Sequence, residues 1–366
     1  MRLTRINKER SHLSEIPLPI KLQGAHGSPY TRKALAALRY RRLPYRFIIG
    51  HPGGRIESGY PDWEDLPVPK VVLLPTFYFP DEHGVEQAIT DSTPILRKLE
   101  AVSDERSLIP TDPVVRFINY LIEDYADEWL TRCMFHYRWM YEDDIDKAGA
   151  VLPLLRDVSI PPDVHANLKK IISDRQIQRL YVVGSNEVTG PVIEASYVRF
   201  LELMEAHLQQ FPFLMGERPG SSDFGVFGQL TCLTHFDPTP MRLALQMSPR
   251  TYAWVERAED LCGYEVEDSG WFPRDTIPET LLALLGEIAK VHMPQMIANA
   301  KAVASGEKQF ETTIDGKSWR QPSFSYQAKC LRWTRDEFSE LDTDDQAAAR
   351  HLLSNVGLMS LIDEVI

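Results

Sequence analysis

The residues Ser28-Pro29-Tyr30-Thr31 stand where an apolar run, Ile20-Lys21-Leu22-Gln23, gives way through Gly24-Ala25-His26-Gly27 to a segment of helical spacing. Serine is a preferred N-cap, and proline suits the first helical position, where its missing N–H costs nothing. The stretch therefore predicts a strand, a turn and a helix whose N-terminus opens onto the turn. Such an end presents free backbone N–H groups and the positive pole of the helix dipole, so a thiolate or carboxylate placed against it is stabilised. The chain brings no thiol of its own there. Its four cysteines, Cys133, Cys232, Cys262 and Cys330, are scattered and form no Cys-x-x-Cys pair, which reads as buried free thiols rather than a zinc site or disulfide framework. Ser28 reads here as a plain helix cap and His26 as a surface loop residue.

The elements that position these residues follow from periodicity. Tyr30, Ala34, Ala37 and Leu38 recur at helical spacing, and after the Leu43-Pro44 break Tyr45-Arg46-Phe47-Ile48-Ile49 reads as a second strand, completing a βαβ unit. Residues 51–70 are loop-rich, with one short helix expected around Trp63. The run from Val71 to Phe79 is apolar and aromatic but interrupted by Pro75, and proline in a strand belongs at an edge, a bulge or a cis turn. A loop at 80–84 leads to a strand at 85–89, and Thr90-Asp91-Ser92-Thr93-Pro94 opens a helix over 95–102. This second half is ββα, and with the first it makes an α/β domain with a mixed sheet.

From Pro113 the periodicity is helical. One helix is expected from Val114 through Trp129 and Met134 toward Trp139. Others are expected over 147–172, broken at Pro161-Pro162, and over 193–209, 224–233 and 249–261. Beyond these come a long helix over 278–304, a hairpin at 310–319 with Asp315-Gly316 at its turn, and helices over 326–341 and 345–354. Trp319, Phe324, Tyr326 and Trp333 in this last part predict that it packs on something rather than trailing as a tail.

The 366 residues suggest two or three domains, and a net charge of −12 argues against nucleic acid or an anionic membrane as partner. Residues 1–14 are polar, without the apolar core of a secretory signal, and no run is long enough to span a bilayer, so a cytoplasmic location is expected.

Taken together these motifs resemble the cytosolic glutathione S-transferases with a serine-type active site. Thioredoxin-fold redox proteins carry Cys-Pro-Tyr-Cys where this chain has Ser28-Pro29-Tyr30-Thr31, and without both sulfurs a dithiol mechanism cannot run. The family places a cis proline before its third strand and an acidic-residue/serine pair at its third helix, matched here by Leu74-Pro75 and Asp91-Ser92. It also opens a buried helix with Leu-x-Gly-x-x-Pro-Ser-x-Ala-Asp, to which Leu214 through Asp223 is similar, with Gly220 at the cap position and Asp223 in a structural role.

The resemblance spans residues 17–263 and leaves the last hundred unexplained. The fold class expected is α/β plus all-α. It comprises a thioredoxin-like glutathione-binding domain at 17–103, an all-helical substrate domain at 111–263 and an extension of unknown role at 264–366. The family is usually homodimeric, with its active site between the two domains.

The resemblance further implies that Ser28 donates to the sulfur of glutathione, a co-substrate, and ionises it for conjugation, substitution or isomerisation of a hydrophobic electrophile. Leu74 and Pro75 would offer an edge to the cysteinyl part, Ser92 and the helix N–H groups would take the γ-glutamyl carboxylate, and Asp91 its ammonium. His26 would assist the sulfur or line the substrate side, and Tyr30 would face the electrophile. Arg55 and Lys70 are both candidates for the glycyl carboxylate. Tyr120, Tyr125, Trp129 and Phe135 form an aromatic stripe that reads as core or as electrophile wall. A non-catalytic ligand carrier or scaffold is the alternative. A glutaredoxin-like reductase would need one of the scattered cysteines at the site.

Overall fold

Ser28 does cap a helix, and the rest of the N-terminal unit is built around that start. The computed structural model describes residues 16–53, 66–103 and 105–366. Strand β1 (Ile20–Gly24) runs into the turn, and helix α1 (Pro29–Tyr40) follows, its Thr31 N–H donating to Ser28 Oγ at 3.3 Å. Helix α1 returns the chain to β2 (Tyr45–Ile49), which pairs parallel to β1 from Ile20 opposite Tyr45 to Gly24 opposite Ile49. Strand β3 (Thr76–Pro80) runs antiparallel to β1, and β4 (Glu86–Thr90) antiparallel to β3, giving the order β2-β1-β3-β4. The run expected from Val71 becomes strand only at Thr76. Leu74-Pro75 is a cis peptide, proline has no N–H to give a ladder, and Val71, Val72 and Leu73 before it lie about half exposed. Helix α2 (Ser92–Leu99) begins three residues earlier than expected. Arg55 and the helix expected around Trp63 lie outside the described residues.

The remainder is mostly helical. Helix α3 (Pro113–Tyr125) continues through a π turn, Ala126–Leu130, into α4 (Thr131–Met140), so the single helix expected here is widened at its centre. Helices α5 (Glu142–Leu154) and α6 (Pro162–Ile177) separate at the expected proline pair. Next come α7 (Gly190–Leu208), α8 (Ser221–Leu233), α9 (Pro238–Met247), which periodicity did not reveal, and α10 (Pro249–Ala258). The long helix near the C-terminus is α11 (Glu279–Glu287) joined by a second π turn, Ile288–His292, to α12 (Met293–Ser305). A hairpin of β5 (Gln309–Ile314) and β6 (Lys317–Pro322) then turns at Asp315 and Gly316, both at positive φ as a type I′ turn requires. Helices α13 (Ser325–Ser339), α14 (Thr343–Asn355) and α15 (Met359–Asp363) close the chain.

Helix α8 is the central post, every one of its residues buried. Gly228 lets α1 approach: a Cβ there would lie 2.5 Å from the Pro29 carbonyl oxygen. At the head of α8, Asp223 accepts from the Gly220 N–H at 2.9 Å and the Leu214 N–H at 2.8 Å, the structural role expected of it. The cap side chain that Gly220 lacks is supplied from another helix. Asn119 Oδ1 of α3 accepts from the Ser222 N–H at 3.1 Å, and a Cβ on Gly220 would sit 2.3 Å from that same oxygen.

The extension packs on this helical body rather than trailing from it. Trp319 is buried against Trp129 with ring centroids 5.5 Å apart, and Phe338 meets Phe117 at 5.6 Å. Arg274 links Asp112 at the head of α3 to Asp345 of α14, at 2.6 Å each. No helix among the described residues is long and apolar enough to cross a membrane.

Candidate functional site

Sheet register brings three of the sequence-predicted motifs to one end of the sheet. Gln23 pairs with Thr76, and Thr76 with Thr90, so the C-terminal end of β1, the N-terminal end of β3 and the C-terminal end of β4 coincide. The loop leading to Ser28, the cis Pro75 and Asp91 emerge there side by side. With strands about 4.8 Å apart, the outer two of the three are separated by roughly 10 Å, the scale of a tripeptide's width or half its length.

Ser28 is partly exposed, and its Oγ already accepts the Thr31 N–H, which leaves its hydroxyl proton available to donate. The two readings of Ser28, cap and donor, are therefore compatible in one side chain. The turn before it is clamped from the helical side. The Gly27 carbonyl accepts from Arg138 Nη1 at 3.1 Å, and a Cβ on Gly27 would lie 2.3 Å from Leu152 Cδ2 of α5. His26 is partly buried edge-on against Phe47, and burial, then the nearby Arg32 charge, lowers its pKa, so it is neutral at pH 7. Leu74 is partly buried and Pro75 buried, while Lys70 is exposed.

The Tyr30 side chain turns toward the helical body. Its hydroxyl donates to the Asp127 carbonyl at 2.7 Å, and Thr131 Oγ1 lies 3.2 Å away. That carbonyl belongs to the π turn. Of the aromatic stripe, Tyr120, Tyr125 and Trp129 are buried core. Phe135 is partly buried, and Tyr120 also lines a small cavity.

The same π turn carries a charge cluster that the motifs did not announce. Lys33 of α1 is 1% exposed, and its ammonium donates to Glu123 at 2.7 Å, Asp127 at 2.5 Å and Thr93 Oγ1 at 3.0 Å. One buried ion cluster thereby ties α1 and α2 to α3. Burial works against ionised Glu123, but the Lys33 ammonium outweighs it and holds that carboxyl below its ordinary range. For Asp127 burial wins and lifts the pKa to about 6. Burial, with the Asp124 charge beside it, pushes Glu128 up to about 8. A signal for Lys33 was present in the sequence: it falls between Tyr30 and Ala37 on the apolar face of α1, where an ammonium requires buried counter-charges.

Asp91 sits at φ 87° in the N-cap position of α2, yet its carboxylate makes no cap bond. It accepts instead from the Tyr326 hydroxyl of α13 at 3.0 Å. Ser92 is buried at the first position of α2. Asp91, Thr93, Tyr120, Asp124, Asp127 and Glu128 together with Tyr326, Cys330 and Trp333 enclose a cavity of only about 20 Å³. A larger opening, about 640 Å³, lies wholly within the extension, between α12, β5 and α15, and is lined by none of the candidate residues. Among the described residues no set of His, Cys, Asp or Glu side chains is arranged to hold a metal ion.

Comparison with known proteins agrees with this architecture. Residues 22–107 match the sequence family of the glutathione S-transferase N-terminal domain. No curated protein matches the chain. A solved glutathione S-transferase from Rhodospirillum rubrum F11 is 19% identical, over 70% of this chain and 98% of that one, with a TM-score of 0.40. The tau-class enzyme from mango, Mangifera indica, is 18% identical over 72% and 98%, with a TM-score of 0.38. A transferase family member from Pseudomonas fluorescens Pf-5, solved with two glutathione molecules bound, is 16% identical over 69% and 98%, also at 0.38.

Proposed function

We propose that this chain, which carries the N-terminal domain of the glutathione S-transferase family at residues 22–107, binds glutathione at the end of its sheet and ionises the thiol for attack on an electrophile. The observation that carries the reading is the convergence of the Ser28 turn, the cis Pro75 and Asp91 at one end of the sheet. In this reading residues 17–103 hold glutathione, 111–263 supply the second-substrate side and 264–366 form an added cover.

The glutathione thiol, with an ordinary pKa of about 8.5, is mostly protonated at pH 7 and must be turned into thiolate. Ser28 Oγ–H, directed at the sulfur, together with the N-terminus of α1, favours the anion. Leu74 and Pro75 border the cysteinyl part, Ser92 and the first N–H groups of α2 receive the γ-glutamyl carboxylate, and Asp91 receives its ammonium. His26, neutral and lodged against Phe47, borders the sulfur without adding charge. Tyr30 fixes the seam between the sheet unit and the helices. Thiolate stabilisation and proximity then account for the rate.

The test combines calorimetric titration with glutathione and ultraviolet detection of the bound thiolate as pH is varied. Binding by both the natural chain and Ser28→Ala, with the bound thiol's pKa raised by about one unit in the variant, supports the reading. An unchanged pKa removes Ser28 from the mechanism. The closely packed cavity beside Asp91 favours a second reading, a non-catalytic carrier or scaffold of the same fold. Tight glutathione binding without turnover of any electrophile would select it.

A further inference from the structure

Helix α13 presents Tyr326, Cys330 and Trp333 at spacings of four and three, so all three lie on one face, and that face covers the carboxylates of α2, α3 and the first π turn. We propose that Tyr326 is a built-in competitor for the ammonium subsite: its hydroxyl occupies Asp91 in the free protein, and the ammonium group of an incoming γ-glutamyl ligand displaces it. This rests on the glutathione reading above.

Asp91 stands at the N-cap position of α2, and its Oδ2 accepts the Tyr326 hydroxyl at 3.0 Å, across the mouth of the cavity. The bond is of the displaceable kind. Tyr326 is 44% exposed as a residue, but burial of its hydroxyl and of the Asp91 carboxylate raises both pKa values, so the bond is a neutral donor's to a carboxylate, weaker than the ion pairs that Lys33 makes. The helix itself is anchored at both ends. Asn299 exchanges two hydrogen bonds with the Phe324 backbone at 2.8 and 3.0 Å, and Glu337 pairs with Arg97 of α2 at 3.0 Å. The moving part is therefore the Tyr326 side chain, not the helix.

Behind it the cavity already holds a second acceptor. Asp127 is 8% exposed, its Oδ2 is taken by Lys33 and Thr93, and its Oδ1 is buried without a partner. An ammonium that enters as the phenol swings out meets Asp91 at the mouth and the acidic wall of Asp127 and Asp124 behind it. A neutral group in the same space brings no charge to pair with those carboxylates. The extension thus makes the subsite selective for a ligand that carries positive charge where Tyr326 now donates.

The test uses the full chain and two probes, glutathione and N-acetylglutathione, the second lacking the ammonium. Tyr326→Phe removes the competing hydroxyl and keeps the ring in place. It should tighten glutathione by about fivefold in calorimetric titration while leaving the acetylated probe within about twofold. Tyr326→Ala should act in the same direction, and circular dichroism confirms that both variants fold. Equal glutathione affinity in the natural chain and both variants overturns the competitor role and leaves the glutathione reading standing. The same gain for both probes overturns the ammonium as the displacing group. Absence of glutathione binding in all three proteins overturns the two readings together.

Discussion

Replacing Lys33 by methionine tests the ion cluster that joins the sheet unit to the helical body. The two side chains are similar in volume, so the substitution removes charge rather than packing. Lys33 is 1% exposed, and its ammonium serves Glu123, also 1% exposed, Asp127 and Thr93. Taking away the ammonium bonded to both carboxylates leaves two buried anions facing each other, a change of the kind that costs about 3–5 kcal/mol. The cost should depend on pH in a definite direction. Without the ammonium, burial and mutual repulsion raise both carboxyl pKa values above their unfolded values, so the folded state binds more protons and loses stability as pH rises. Asp127 already stands at about 6 with the ammonium in place, so the deficit should be largest near pH 8 and shrink below pH 6. Denaturant unfolding of Lys33→Met against the natural chain at pH 5, 6.5 and 8 reads this out. The triple variant Lys33→Met, Glu123→Gln, Asp127→Asn isolates the cause, and it should recover most of the loss at pH 8. A deficit below about 1 kcal/mol at pH 8, or a triple variant as unstable as the single, would refute the reasoning.

Four other outcomes follow from single contacts. Ser28→Ala removes the acceptor of the Thr31 N–H and should cost about 1 kcal/mol of folding stability in denaturant titration, apart from any effect on a bound thiol. Asn119→Ala strips the cap borrowed by α8, leaving the Ser222 N–H and the Ser221 hydroxyl short of partners, and should cost about 1–3 kcal/mol by the same measurement. Gly220→Ala should cost at least as much, because the new methyl meets Asn119 Oδ1 and displaces the same oxygen. Glu128 has its folded pKa raised to about 8, so it binds a proton that the unfolded chain releases near 4.5 and withdraws stability as pH rises between those values. Glu128→Gln should match the natural chain at pH 4 and exceed it at pH 9, and equal stability at both would remove Glu128 from the pH dependence.

The sequence alone determined the parts whose causes are local. Serine followed by proline after an apolar run specified the start of α1, and Asp-Gly between alternating residues specified the β5–β6 turn. The order of Pro75, Asp91 and Ser92 located the sheet end and the head of α2 within a few residues. The role of Asp223 was legible because a carboxylate at the third position of a helix is satisfied by N–H groups a few residues away.

Tertiary structure decided everything that joins distant segments. The Tyr30 hydroxyl donates to a carbonyl about a hundred residues on, in a π turn that no local pattern announces. Asn119 caps a helix that begins another hundred residues later, and Tyr326 reaches back across more than two hundred to Asp91. Periodicity shows which face of a helix is covered and says nothing of what covers it. Which groups meet in the cleft was therefore settled only when the extension packed onto the helices.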